Sequence, residues 1–178
     1  LNLKFEKNIS YQGLIKSKPF QVLLTQIENC INTIDSQKSE ILHMKKHMSE
    51  VHNQISSQEI LTVGIISPYK EQVQYLTQLV KEDEDFKTFP IKLAIKTIDG
   101  FQGQERDIIY ISLVRSNDNA EIGFLSDIRR MNVALTRAKK KLVVIGNSAT
   151  LANHPFYKDF IEYWEKIEAY KSAWEFNY

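Results

Sequence analysis

The sequence predicts an α/β domain of three layers, a mainly parallel sheet lying between two layers of helices. Three observations carry this expectation. Four short runs are almost wholly apolar: Ile60–Ile66, Ile91–Ile95, Ile108–Val114 and Leu142–Gly146. Such runs suit strands buried on both faces, as in parallel sheets. Segments of helical periodicity fall between and after the runs, the alternation of a covered parallel sheet. Polar segments follow the strand runs, where such sheets place their binding loops.

Composition sets the outer bounds. The chain has 178 residues, 25% charged and 43% hydrophobic, which suits a single domain with a real core over 1–178. Within it, 1–58 reads as a lead-in, 59–147 as the core and 148–178 as C-terminal helices. The formal net charge is only +1, so attraction to nucleic acid must come from a local groove. Cys30 is the only cysteine, which excludes an internal disulfide and suits a reducing, intracellular compartment (cytoplasm or nucleus). No apolar run reaches bilayer-spanning length, and no membrane partner is expected. The chain begins at Leu1 without a signal peptide, as a piece of a longer protein would.

In chain order, Tyr11-Gln12-Gly13 suggests a turn, and Phe20 to Ile34 fits either a helix or a strand. Asp35 or Ser36 caps an amphipathic helix over Ser39–Asn53 with Ile41, Leu42, Met48, Val51 and Ile55 near one side. His43 and His47 stand four apart there, but Met44 occupies the place where a metalloprotease helix needs Glu. Intervening lysines oppose a cation further. The expectation is a solvated helix face and no metal site. Ser67-Pro68-Tyr69 breaks the first strand run, and a helix follows with Val73, Leu76, Leu79 and Val80 inward. The acidic run Lys81-Glu82-Asp83-Glu84-Asp85 reads as its solvated end. Asn147 and Ser148 cap a short helix, and an aromatic-rich helix runs from Phe156 to about Tyr170. Its stripe of Phe160, Tyr163, Trp164 and Ile167 reads as packing.

Two polar segments remain. The loop Thr97–Asp107 carries Gly100 and Gly103 beside Gln102, Gln104 and Glu105. Amides and a carboxylate suit contacts to sugar and phosphate, although a plain sheet-capping loop fits as well. The second segment is a helix capped by Ser126 or Asp127, with Ile128, Met131, Leu135 and Ala138 inward. Arg130 and Arg137 then project from nearly one side with Ala134 between them. A guanidinium held by a rigid helix suits a phosphoryl group that is developing charge.

These residues resemble a known family. Gly64-Ile65-Ile66-Ser67-Pro68-Tyr69-Lys70-Glu71-Gln72 is similar to helicase motif IV. Thr97-Ile98-Asp99-Gly100-Phe101-Gln102-Gly103-Gln104-Glu105-Arg106-Asp107 is similar to motif V. Ile122-Gly123-Phe124-Leu125 through Arg129-Arg130-Met131-Asn132-Val133-Ala134-Leu135-Thr136-Arg137-Ala138 is similar to motif VI and its lead-in. The three occur in family order, and the likeness runs from about Leu61 to Asn147. The family is superfamily 1 helicases, in the group of the nonsense-mediated-decay helicase and senataxin.

The resemblance implies a second RecA-like domain of an ATP-driven helicase or translocase. It implies that Gly103 and Glu105 contact nucleotide and that Arg137 is the arginine finger. Ser67, Pro68, Tyr69 and Thr97 are implied on the side of single-stranded DNA or RNA, with Gln102 and Arg130 in support. No Gly-x-x-x-x-Gly-Lys-Ser/Thr run and no strand ending in Asp-Glu occur in the sequence. The resemblance therefore implies that ATP and Mg2+ are held mainly by the first RecA-like domain of the full-length protein. The domain alone is expected to be inactive. The competing expectation is a nucleic-acid- or partner-binding module that kept the fold without motor activity.

Overall fold

The computed structural model describes residues 41–50, 60–115, 117 and 119–172. The readings at Tyr11–Gly13, Phe20–Ile34, Cys30, Asp35/Ser36, Val51 and Ile55 lie outside these residues.

Among the described residues four parallel strands form the sheet: β1 (Leu61–Ser67), β2 (Ile91–Thr97), β3 (Arg106–Ser112) and β4 (Ala138–Ile145). Their order is β2-β1-β3-β4. Alternation along each strand sends side chains to two separate cores. On one face Leu61, Val63, Ile65, Ile108, Tyr110, Val143 and Ile145 pack with Met44, Met48, Leu76 and Phe86. These come from α1 (helical at 41–50), α2 (Lys70–Glu82) and α3 (Glu84–Thr88). On the other face Ile66, Ile109, Ile111, Leu142 and Val144 meet α4 (Ile128–Leu135), α5 (Ser148–Leu151) and α6 (Pro155–Lys166). This is the expected three-layer αβα arrangement, and the apolar runs exist because both faces are covered. Fully burying one such aliphatic side chain stabilises by roughly 1.5–3 kcal/mol.

The capping chemistry follows the sequence. Asp127 accepts from the Arg129 amide and starts α4, whereas Ser126 turns back to the Gly123 carbonyl. Asn147 caps α5 through the Thr150 amide. Pro155 opens α6, where its missing N–H costs nothing.

Five expectations need correction. The helix bearing Arg130 ends at Leu135, and Ala138 already begins β4, so Arg137 lies in a two-residue link and not on a helix. Ala134 is fully buried and is no spacer between the two arginines. His43 and His47 are buried, while Leu42 is 63% exposed; α1 is rotated because Met44 and His47 face the sheet. The acidic run is not merely solvated. Lys45 bridges Asp83 at 2.8 Å and Asp85 at 2.6 Å, and Asp83 caps α3. Finally, α6 stops at Lys166, where the chain turns through a left-handed Glu168, leaving Ile167 of the aromatic stripe 40% exposed.

Candidate functional site

The loop between β2 and β3 does not simply cap the sheet. Thr97 closes β2 at the carboxyl edge, in register with Ser67. Arg106 opens β3 at the amino edge, about 20 Å away across a seven-residue strand at roughly 3.3 Å per residue. The intervening chain crosses over β1 through a single 3-10 turn, Asp99–Phe101. Phe101 is fully buried there, lying directly on Gly64. A Cβ added to Gly64 would stand 2.8 Å from the ring and 2.6 Å from Ile109 Cδ1. Gly64 is the bare spot that lets the aromatic ring, and with it the whole turn, sit down on the strand.

At the amino edge the turn delivers Gly103, Glu105 and Arg106 beside the start of β4. The Arg106 amide donates to the Arg137 carbonyl at 3.0 Å. This bond holds the two polar segments side by side. Gly103 takes φ +72°, with open space where a side chain would lie. Glu105 is exposed, with Lys139 at 3.9 Å. Arg137 donates through Nε to the Val133 carbonyl and through Nη2 to Thr136 Oγ1, both at 3.0 Å. Two of its nitrogens are thereby fixed, and Nη1 has no partner among the described residues. A planar guanidinium pinned on one side and open on the other is preorganised for an oxyanion. Arg130 is half-exposed between Asp99 at 3.6 Å and Asp127 at 3.7 Å. It links the turn to the start of α4. Gln102 is exposed at the end of the 3-10 turn.

The carboxyl edge holds the other group. The order β2-β1-β3-β4 places a topological switch between β1 and β3, where open sheets leave a crevice. Ser67 and Pro68 end β1 there, followed by Tyr69. Ser67 is fully buried, and its hydroxyl accepts weakly from the Tyr69 amide at 3.4 Å. Its side chain braces the turn and does not face outward. Tyr69 is partly exposed and held from two sides. Arg115, just after β3, donates through Nε to the Tyr69 hydroxyl at 2.6 Å with its guanidinium 5.2 Å from the ring centroid. Phe124, 61% exposed, meets the same ring edge-on at 5.8 Å. A Cβ on Gly123 would strike the Arg115 guanidinium at 2.6 Å. Below, buried Gln72 donates to buried Ser112 at 3.4 Å and ties α2 to β3. The sequence places the Arg115–Glu121 loop at a strand's carboxyl end and Phe124 in the motif VI lead-in, but gives neither Arg115 nor Phe124 a role of its own.

The described residues contain no group of three His, Cys, Asp or Glu side chains that could hold a metal. His47 pairs through Nδ1 with the Tyr110 hydroxyl at 2.7 Å. Burial, helped by the charge of Lys141, pushes its pKa down to about 3. That imidazole is a neutral packing group. Burial also raises the Asp107 carboxyl, but the Thr62 hydroxyl and amide and the Lys140 ammonium outweigh it, so the pKa ends below the usual carboxylate value. Asp107 thus stays ionised and staples β3 to β1. The residues suit the phosphate and sugar of a nucleotide; they offer no Mg2+ cage.

Comparison with known proteins gives the family of the chain. The AAA domain family matches residues 5–149. DNA polymerase alpha-associated DNA helicase A of Saccharomyces cerevisiae is 39% identical over 131 residues, covering 72% of this chain and 18% of the relative. Helicase SEN1 of the same yeast is 46% identical over 109 residues, covering 56% and 4%. A regulator of nonsense transcripts 1 homolog from Neurospora crassa is 46% identical over 96 residues, covering 53% and 9%. The chain thus spans under a fifth of the length of these relatives. Among solved structures, the C-terminal domain of a possible DNA helicase from Lactobacillus plantarum WCFS1 aligns with TM-score 0.46 at 12% identity, covering 71% of this chain and 73% of that one. With the parallel sheet, the three motifs in order and a family match over most of its length, the chain belongs to the AAA domain family of superfamily 1 helicases, in the group of the nonsense-mediated-decay helicase and senataxin.

Proposed function

We propose that this domain is the second half of an ATP-dependent helicase or translocase motor, completing a nucleotide site with Arg137 and gripping single-stranded DNA or RNA at its opposite edge. The observation that carries the reading is the Arg106–Arg137 backbone bond, which brings Gly103, Glu105 and the open side of Arg137 to one edge. Glu105 accepts hydrogen bonds from the nucleotide's sugar or base, and Gly103 lets the backbone approach it. Arg137 offers Nη1 to the γ-phosphoryl oxygens as negative charge develops on them. ATP and Mg2+ are held mainly by a first RecA-like domain of the full-length protein, which supplies the metal-assisted chemistry. No described residue of this domain carries that role. Tyr69 and Thr97 lie about one strand length from Arg137, on the side assigned to the nucleic-acid strand. The rigid sheet between them turns domain closure over nucleotide into a displacement along that strand. No helix among the described residues is long and apolar enough to cross a membrane.

Turnover of ATP by the full-length protein, measured with single-stranded DNA and single-stranded RNA side by side, tests the reading. Strand-stimulated hydrolysis is expected, together with negligible turnover by this domain alone. Strand binding without any hydrolysis by the full-length protein would instead support a non-motor binding module.

A further inference from the structure

Two cations of the crossing loop meet at one neutral oxygen. Lys96 Nζ donates to Gln104 Oε1 at 3.3 Å, and Arg106 Nη2 donates to the same atom at 3.1 Å. The Gln104 amide is oriented for this, because its Nε2 donates to the Gly100 carbonyl at 3.2 Å. Both charges also lie over the buried Phe101 ring, 5.9 Å and 5.6 Å from its centroid, close enough for the ring face to attract them. The loop's own carboxylates are engaged elsewhere. Asp99 faces Arg130 at 3.6 Å, Glu105 faces Lys139 at 3.9 Å, and Asp107 is taken by Thr62 and by Lys140 at 3.6 Å. Among the described residues neither Lys96 nor Arg106 has an ion pair.

Two like charges sharing a single amide oxygen repel each other, and the aromatic face offsets only part of that. An oxyanion at the same place would relieve the repulsion. A lysine supplies a point charge and an arginine a planar fork, the pair suited to one phosphate. The place itself selects the source of that phosphate. Lys96 immediately precedes Thr97 on β2, which is an edge strand of the described sheet. Lys92 lies exposed on the same face two pleats earlier, with Ala94 between them. Two cations along an edge strand of the described sheet, the second near the carboxyl rim, follow a polyanion better than a compact nucleotide.

We propose that Lys96, Gln104 and Arg106, seated on Phe101, form a cradle for one phosphodiester of the bound nucleic-acid strand. The cradle rests on the motor reading above. It adds a backbone contact at Lys96, just ahead of motif V, and at Gln104 and Arg106 within it, none of which was given a strand contact above, and it joins the strand edge to the segment bearing Glu105.

The test uses the full-length protein and oligo-dT or oligo-rU, with affinity read at several salt concentrations. Gln104→Glu places an internal carboxylate between the two cations; it should preserve the fold while occupying the cradle. Lys96→Gln removes one charge. For each, the slope of log affinity against log salt is expected to fall by about 0.7, the contribution of one phosphate on a single strand, with the KM for ATP unchanged in Lys96→Gln. Lys158→Gln on α6 should leave the slope as it is. Unchanged slopes in both cradle variants, in a protein that binds the strand, would overturn the cradle. A changed KM for ATP with an unchanged slope would also overturn it by moving the phosphate to the nucleotide. A wild-type protein that binds no strand at all would remove the motor reading and the cradle together.

Discussion

Replacing Gly64 by alanine tests how the crossing turn is seated. The new methyl would stand 2.6 Å from Ile109 Cδ1 and 2.8 and 3.0 Å from two carbons of the Phe101 ring. Ile109 can answer by rotating its terminal methyl. Phe101 cannot, because its ring is rigid and fully buried. Restoring ordinary carbon contacts of about 3.5–4.0 Å requires the ring to rise by roughly 1 Å. Overpacking of this kind typically costs ~1–3 kcal/mol. Alanine also recovers ~0.5–1 kcal/mol of backbone entropy that glycine loses in a strand. A net loss of roughly 0–2.5 kcal/mol, centred near 1, is therefore expected, read as a lower urea midpoint at unchanged slope. Because the turn carries Gly103 and Glu105, ATPase of the full-length variant should fall even where the domain is fully folded. Phe101→Leu in the same chain makes room for the methyl, so the pair should be less destabilised than the sum of the single changes. A Gly64→Ala protein as stable and as active as the wild type would refute the seating of Phe101 on β1.

Other outcomes follow from the same geometry. Arg115→Ala removes both the hydrogen bond and the cation over Tyr69, and strand affinity of the full-length protein is expected to drop several-fold. Arg115→Lys should not restore it, because an ammonium cannot donate to the hydroxyl and lie flat on the ring together. Retained affinity in Arg115→Ala would remove Arg115 from the site. His47 gives a pH dependence. Its folded pKa is depressed to about 3 from 6.5, so below 6.5 the unfolded chain binds the proton that the folded chain refuses. Stability contributed by the neutral imidazole is therefore full above 6.5 and lost as pH falls toward 3. Between pH 7 and pH 5 that loss is roughly 2 kcal/mol. His47→Gln should lack this component, and identical pH profiles for the two proteins would contradict it. Tyr110, Glu50 and Lys141 are the groups that act on this corner.

Much of the scaffold was legible because burial on both faces leaves an unbroken apolar signature. Three of the four strand runs coincide with strands to within one or two residues at each end. β4 was truncated in the reading because it opens Ala138-Lys139-Lys140-Lys141, where solvent reaches one end of the strand. The same junction misplaced Arg137. Leu135 and Ala138 continue a spacing of three, so helical periodicity runs on across the link that carries the arginine. Ala134 reads as a gap between arginines in a linear pattern, yet α4 turns it fully inward. The histidines were misread for a different reason. What buries His47 is a hydroxyl from Tyr110, 63 positions away, and local amphipathicity carries no trace of such a partner. Ser67 and Gln72 were legible as motif residues, whereas their burial depends on Ser112 and the packing of α2 on β3. The resemblance implied different roles for the two ends of the Thr97–Asp107 loop; that these ends lie at opposite edges of the sheet is a matter of topology, which appears when β3 is placed beyond β1.

Hydrolysis by the full-length protein carrying Arg137→Ala tests the central claim most directly. Single-turnover hydrolysis of ATP with saturating single-stranded nucleic acid isolates the step in which Nη1 meets the developing charge. A loss of ~10³–10⁵ in rate is expected for an arginine finger, with strand affinity unchanged because Tyr69 and Thr97 lie at the other edge. Hydrolysis within a few-fold of the wild type would contradict the role given to Arg137.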